Sequence, residues 1–227
     1  MFNFRNREQA GRQLSLELVG YSSANPIVLG IPRGGVPVAF EIARALNAPL
    51  DVFVTRKLGV PGHEELPFGA IAEGDTRYID QDVARTARVS SGEAEIVIRA
   101  ASAQVEHRAN LYRNGESLPL LLDRTVILVD DGVATGLEIQ AAVLSLRKRA
   151  LWQLILAVPV ISMPAFQVLR PMVDKLVTLQ SAGTFYSVGQ FYEKYPDLHD
   201  DEVISLLKIS ENFPHLQVEP NQLPPAA

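Results

Sequence analysis

Residues 125–140, Thr125-Val-Ile-Leu-Val-Asp-Asp-Gly-Val-Ala-Thr-Gly-Leu-Glu-Ile-Gln140, constrain this chain more than any other stretch. A run of β-branched and aliphatic residues reads as a buried strand. It ends in two adjacent aspartates, Asp130 and Asp131. Small residues follow from Gly132 to Gly136, and a helical pattern begins after them. Strand, acidic corner, small-residue loop and helix in that order belong to α/β architecture, where ligands meet the carboxyl ends of parallel strands.

The rest of the chain is compatible with that class. Its 227 residues, 47% hydrophobic and 21% charged, suit one α/β domain with additions. A net charge of -5 gives no support to a nucleic-acid partner. The absence of cysteine excludes disulfides, thiolate metal sites and cysteine nucleophiles. Met1–Glu8 is charged and lacks the apolar core of a signal peptide, and the apolar run Leu154–Ile161 is too short to span a bilayer. The expectation is a cytoplasmic protein with no membrane partner.

Taken in order, residues 6–20 carry Ala10, Leu14, Leu18 and Val19 at helical spacing. Residues 26–31 and 50–55 read as strands, with a helix from Val36 to Leu46 between them. Residues 56–67, with Gly59, Pro61 and Gly62, read as a long mobile loop. Phe68–Ala72 and Arg77–Ile79 suggest a small strand pair, and residues 80–113 are polar and helix-prone. Further strands are expected over 154–160 and 175–179, with helices over 137–149, 165–172 and 200–209. The domain is expected over 1–212, with a small hood drawn from 183–212, and the proline-rich stretch 213–227 as a disordered tail. Arg33, Arg56 and the acidic corner all follow predicted strands.

Two carboxylates at a strand's carboxyl end can accept hydrogen bonds from a vicinal diol, hold a divalent cation, or cap the next helix. Gly132-Val-Ala-Thr-Gly136 then offers backbone N–H groups at a helix N-terminus, which bind phosphate without a charged side chain. An acidic pair alone is also an ordinary capping turn. With Ala134-Thr135-Gly136 at this spacing, a diol and a phosphate close together suit a ribose 5-phosphate.

Val126–Gly136 resembles the phosphoribosyl-pyrophosphate (PRPP) motif of the type I phosphoribosyltransferase family. Gly30-Ile-Pro-Arg-Gly-Gly-Val-Pro37 is similar to that family's pyrophosphate loop, and Thr55-Arg-Lys-Leu-Gly-Val-Pro-Gly62 to the Arg-Lys segment that opens its flexible catalytic loop. The likeness spans about residues 5–210 and is nearest to a subgroup of unassigned acceptor, whose pattern Phe68–Glu73 and Phe185–Tyr192 also follow. It implies a mostly parallel central sheet flanked by helices, with a small hood and a flexible catalytic loop over 58–67.

The resemblance also implies roles. The 5-phosphate of PRPP enters the loop of Gly132, Val133, Ala134, Thr135, Gly136 and Leu137, and Asp130 and Asp131 hold the ribose hydroxyls. Arg33, Gly34 and Gly35 hold the pyrophosphate, in a loop where the family often has a non-proline cis peptide. Arg56 and Lys57 neutralise the leaving pyrophosphate, across the interface of an expected homodimer. Magnesium rides in with PRPP, so no direct protein ligand set is expected. Phe185 and Tyr186 are candidates for a hood over the acceptor, a nitrogen base. Catalysis is then positioning, leaving-group neutralisation and water exclusion. A PRPP- or nucleotide-binding regulator without turnover is the alternative, and chemistry on another phosphorylated sugar a third.

Two departures qualify the match. Ala134 stands where hypoxanthine/guanine members have aspartate, so no carboxylate of this loop reaches a nucleobase. Glu138 stands where the family usually has Thr or Ser donating to the phosphate. Turned to solvent, Glu138 merely suits the first turn of a helix; turned inward, it opposes the phosphate. His63, His107, His199 and His215 lack metal-ligand spacing, Arg5, Arg7 and Arg12 read as helix surface, and Glu73 as a structural ion pair.

Overall fold

The computed structural model describes residues 3–213. Asn6 caps α1 (Arg7–Leu16) by accepting from the Gln9 N–H at 2.9 Å. There follow β1 (Pro26–Gly30), α2 (Gly35–Leu46), β2 (Leu50–Val52), β3 (Thr55–Val60), β4 (His63–Ala72), β5 (Thr76–Ile79), α3 (Gln81–Thr86) and α4 (Ser91–Tyr112). The second half holds β6 (Thr125–Val129), α5 (Leu137–Leu146), β7 (Gln153–Ser162), α6 (Met163–Leu169), β8 (Lys175–Ala182) and α7 (Asp200–Ser210). Short 3-10 turns extend α5 and α6 over Arg147–Arg149 and Arg170–Met172.

β2, β1, β6, β7 and β8 form one parallel sheet in that order. Its strands are apolar on both faces because both are covered. Ile27, Leu29, Val126, Leu128, Leu154 and Leu156 pack with α5 and α6, while Val28, Ile127, Val129, Ile155 and Ala157 pack with α1 and α2. The chain leaves β1 for β2 on one side and later returns as β6 on the other, so the topological switch lies between β1 and β6. Gly30 and Val129, the last residues of those strands, are register partners. The loops that follow them therefore emerge side by side.

A second sheet, β3-β4-β5, is antiparallel. It replaces the mobile loop expected over 56–67. Pro61 and Gly62 make a tight turn, with Gly62 at φ +77°, rather than a long excursion. Leu58 and Val60 are buried in a core shared with Ile98, Ala101 and Val105 of α4, and that burial orders the hairpin. Its register slips around Gly59, which faces Pro67. A bulge there accommodates a proline inside a strand. Gly59 and Pro67 thus mark an irregular hairpin, not a loop.

Arg113, just past α4, joins the two sheets. It donates to Asp51 of β2 at 3.0 Å, to both carboxylate oxygens of Glu73 at 2.8 and 2.9 Å, and to the Val52 carbonyl at 2.6 Å. Glu73 is therefore the structural ion pair expected of it. The tail expected over 213–227 lies outside the described residues except for Phe213, whose ring packs on Phe40 at a centroid distance of 5.1 Å. Among the described residues no helix is long and apolar enough to cross a membrane.

Candidate functional site

The crevice opens beyond the carboxyl ends of β1 and β6. After β1 the chain turns through Ile31, Pro32 and Arg33, with a cis Pro32–Arg33 peptide, and starts α2 at Gly35. Both glycines of this loop are required by close approach. A Cβ on Gly34 would fall on the Asp131 carboxylate, and one on Gly35 would lie 2.6 Å from the Val129 carbonyl oxygen. The loop so rests directly on the acidic corner. Arg33 leans toward Asp200, the first residue of α7, at 3.8 Å, and Tyr112 of α4 donates to the same carboxylate oxygen at 2.5 Å.

After β6 the loop Gly132–Gly136 leads into α5. Gly136 occupies the N-cap position at φ +78°, and no side chain caps this helix. Its first N–H groups are thus left for an anion. The loop is fixed by backbone pairing to the long end of β7. Val133 N–H donates to the Val160 carbonyl at 3.0 Å, Ser162 N–H to the Val133 carbonyl at 2.9 Å, and the Ser162 hydroxyl to the Ala134 carbonyl at 2.6 Å. Thr135 and Ala134 are exposed on its outer side.

Lys57, Asp130, Gly132, Thr135, Glu138 and Val188 line a crevice of about 70 Å³ around this loop. Lys57 and Glu138 also border a larger cavity of about 540 Å³, walled by Pro32, Arg56, Gln104 and Arg108. The phosphate-type loop thus lines one hollow and Arg56 and Pro32 another, the two meeting at Lys57 and Glu138, while the Arg33 side chain lines neither and leans toward Asp200. Gln104 and Arg108 of α4 are additions that carry no motif, so nothing in the sequence marked them.

Asp130's carboxyl is pushed well above the usual carboxylate range, first by burial, then by the like charges of Asp131 and Glu138. Glu138 does not turn to solvent. It reaches across the crevice to Lys57 at 3.7 Å and accepts from the Thr55 hydroxyl at 3.3 Å. Lys57 draws it inward, and it confronts the phosphate-type loop.

Asp131 has other partners. Arg7 Nε donates to its Oδ2 at 2.7 Å, and the Tyr195 hydroxyl donates to the same oxygen at 2.9 Å. Arg7, read from the sequence as helix surface, is 6% exposed. Its position on one face with Ala10 and Leu14, both buried, was the available signal. Of the hood candidates, Phe185 stacks obliquely on Phe191 at 4.9 Å and belongs to an apolar cluster with Phe4 and Tyr192, whereas Tyr186 is 87% exposed. His63, His107 and His199 are exposed; His215 lies outside the described residues.

A carboxylate destabilised by its own neighbours is suited to a cation brought in by a ligand. Among the described residues no cluster of three or more His, Asp or Glu side chains could hold a metal ion on its own. Asp130 fits a metal that arrives already bound to a polyphosphate, whereas Glu138 is held by Lys57 and Thr55.

Comparison with known proteins agrees with this geometry. A family model described as the phosphoribosyl transferase domain matches residues 2–191. Two curated relatives from Mycobacterium tuberculosis, strains CDC 1551 / Oshkosh and H37Rv, are named provisionally as phosphoribosyl transferases. Each is 40% identical over 204 residues, covering 90% of this chain and 46% of its own. The chain thus spans about half the length of these relatives. The crystal structure of TT1426 from Thermus thermophilus superposes with a TM-score of 0.76 at 34% identity, covering 91% of this chain and 98% of that one. With a family model over most of its length and relatives 40% identical over 90% of it, the chain belongs to the phosphoribosyl transferase domain family.

Proposed function

We propose that this protein transfers phosphoribosyl from PRPP to a nitrogen acceptor, a nucleobase, releasing pyrophosphate. One observation carries the reading: the uncapped N-terminus of α5 and its loop share a crevice with Lys57, which with Glu138 also borders the cavity walled by Arg56 and Pro32. The 5-phosphate meets the N–H groups of the loop, the ribose hydroxyls fall to Asp130 of the acidic corner, and the leaving pyrophosphate meets the cations. Magnesium, when bound with PRPP near Asp130, would supply neutralisation of the pyrophosphate charge. Holding the two reactants in line, rather than covalent chemistry, is then the chain's main contribution. Ala134 brings no carboxylate to the base, so this loop does not take the acceptor's proton. The cytoplasmic location expected from the sequence and the homodimer implied by the resemblance belong to the same reading.

The Lys57–Glu138 pair favours a second reading, since a cation needed for the leaving group is already engaged. In that case the protein binds PRPP or a nucleotide as a regulator. One assay separates the two: pyrophosphate release from Mg-PRPP across a panel of nucleobases. Release with at least one base is the expected outcome. Tight PRPP binding without release for any base would sink the transferase and leave the regulator.

A further inference from the structure

Asp131 sits where three distant segments meet. On one side is Gly34, so close that any side chain there would collide with the carboxylate. On another is Arg7, whose guanidinium also donates to the Pro196 carbonyl at 2.8 Å and lies 3.8 Å from the centre of the Tyr195 ring. On the third are Tyr195, bonded to the carboxylate, and Tyr192, whose hydroxyl donates to the Asp131 carbonyl at 2.5 Å. The Asp131 side chain is 7% exposed. Asp130 lines the crevice and Asp131 does not.

The segment held this way forms part of the site. Residues 3–6 and 190–196 run together, with Phe4 N–H bonded to the Phe191 carbonyl at 2.8 Å, Glu193 N–H to the Phe4 carbonyl at 2.8 Å and Lys194 N–H to the Arg5 carbonyl at 3.0 Å. Just upstream, Val188 forms a wall of the crevice, so near Gly132 that a Cβ there would come within 2.6 Å of it. Burial and the Asp131 charge push both tyrosine hydroxyls well above their ordinary range, so they stay protonated and remain donors. A buried carboxylate between a guanidinium and a phenol is also costly to unmake, because losing the guanidinium leaves a charge unpaired and losing the phenol leaves an acceptor unsatisfied.

We propose that Asp131 is a positioning residue: with Arg7 and Tyr195 it fastens the 183–196 segment over the crevice, leaving Asp130 alone to meet the ribose. The assignment of the ribose to Asp130 rests on the transferase reading, whereas the fastening stands on the contacts themselves. The two aspartates of the motif then have separate tasks, one toward the ligand and one toward the cover.

Three measurements on four proteins test this: amide hydrogen exchange, calorimetric Kd for Mg-PRPP, and KM and kcat for any base that supports pyrophosphate release. The proteins are wild type, Tyr195→Phe, Asp131→Asn and Asp130→Asn. Losing a hydrogen bond to a charged group shifts an equilibrium by about tenfold or more. Tyr195→Phe and Asp131→Asn are expected to speed exchange in 183–196 by that factor, to weaken Mg-PRPP less than Asp130→Asn does, since Val188 of this segment walls the crevice, and to raise KM for the acceptor more than they lower kcat. Asp130→Asn is expected to weaken Mg-PRPP by about tenfold, leaving exchange in 183–196 as in wild type. Equal weakening of PRPP by both aspartate variants, with Tyr195→Phe silent in exchange and KM, would overturn the proposal. Should Asp131→Asn not fold, Tyr195→Phe, which loses only a hydroxyl, decides. Wild type that binds no Mg-PRPP would refute the functional reading, and exchange would still decide whether Asp131 holds the segment.

Discussion

At the scale of single residues, Asp130 bears a conflict between stability and use. Burial and two neighbouring carboxylates raise its pKa, so folding favours the protonated form. Its contribution to stability is fully present below the ordinary carboxylate range, near about pH 4, and is lost as pH rises through the raised folded value. Asp130→Asn carries no charge at any pH. We therefore expect it to melt at a higher temperature than wild type at about pH 8, with the gain vanishing toward about pH 4. Thermal melts across that range check this, and a pH-independent difference would mean the carboxyl is unstrained. The chemistry of Asp130 was legible because its loop and strand are contiguous in the chain. The partner of Asp131 was not, because Arg7 lies 124 residues away and a lone arginine at a helix start reads as surface.

At the scale of elements, β3 and α5 face each other across the crevice through Lys57 and Glu138. A carboxylate about 4 Å from a phosphate charge costs about 4 kcal/mol at an effective dielectric near 20. Glu138's side chain is 29% exposed and paired, so screening reduces that figure. Glu138→Thr is expected to tighten Mg-PRPP by about tenfold, read by calorimetry. An unchanged Kd would mean that Glu138 stays with Lys57 when the phosphate binds. The element carrying Lys57 was the one misread. Glycine and proline mark a break in the chain, but the same residues serve a two-residue turn and a bulge. The difference lies in burial of Leu58 and Val60 against α4, which is a tertiary fact. The parallel strands, by contrast, announced themselves, since a run apolar on both faces needs no knowledge of its neighbours.

At the scale of the molecule, two sheets must keep their relation for the cations of β3 to face the loop after β6. Arg113 spans them, with Asp51 on one side and Glu73 on the other. Burial drives Asp51's carboxyl upward despite the arginine, so removing the guanidinium would leave a poorly solvated pair of acids. Arg113→Met is expected to lower the unfolding free energy by about 3–5 kcal/mol, measured in urea. A loss within error would mean that the shared apolar core alone fixes the sheets.

The loop after β6 is stitched to β7 by its own backbone, without help from a ligand. Its shape is therefore set before anything binds. Seating the anion there demands little loss of chain entropy, and the association should be fast, with little change in heat capacity.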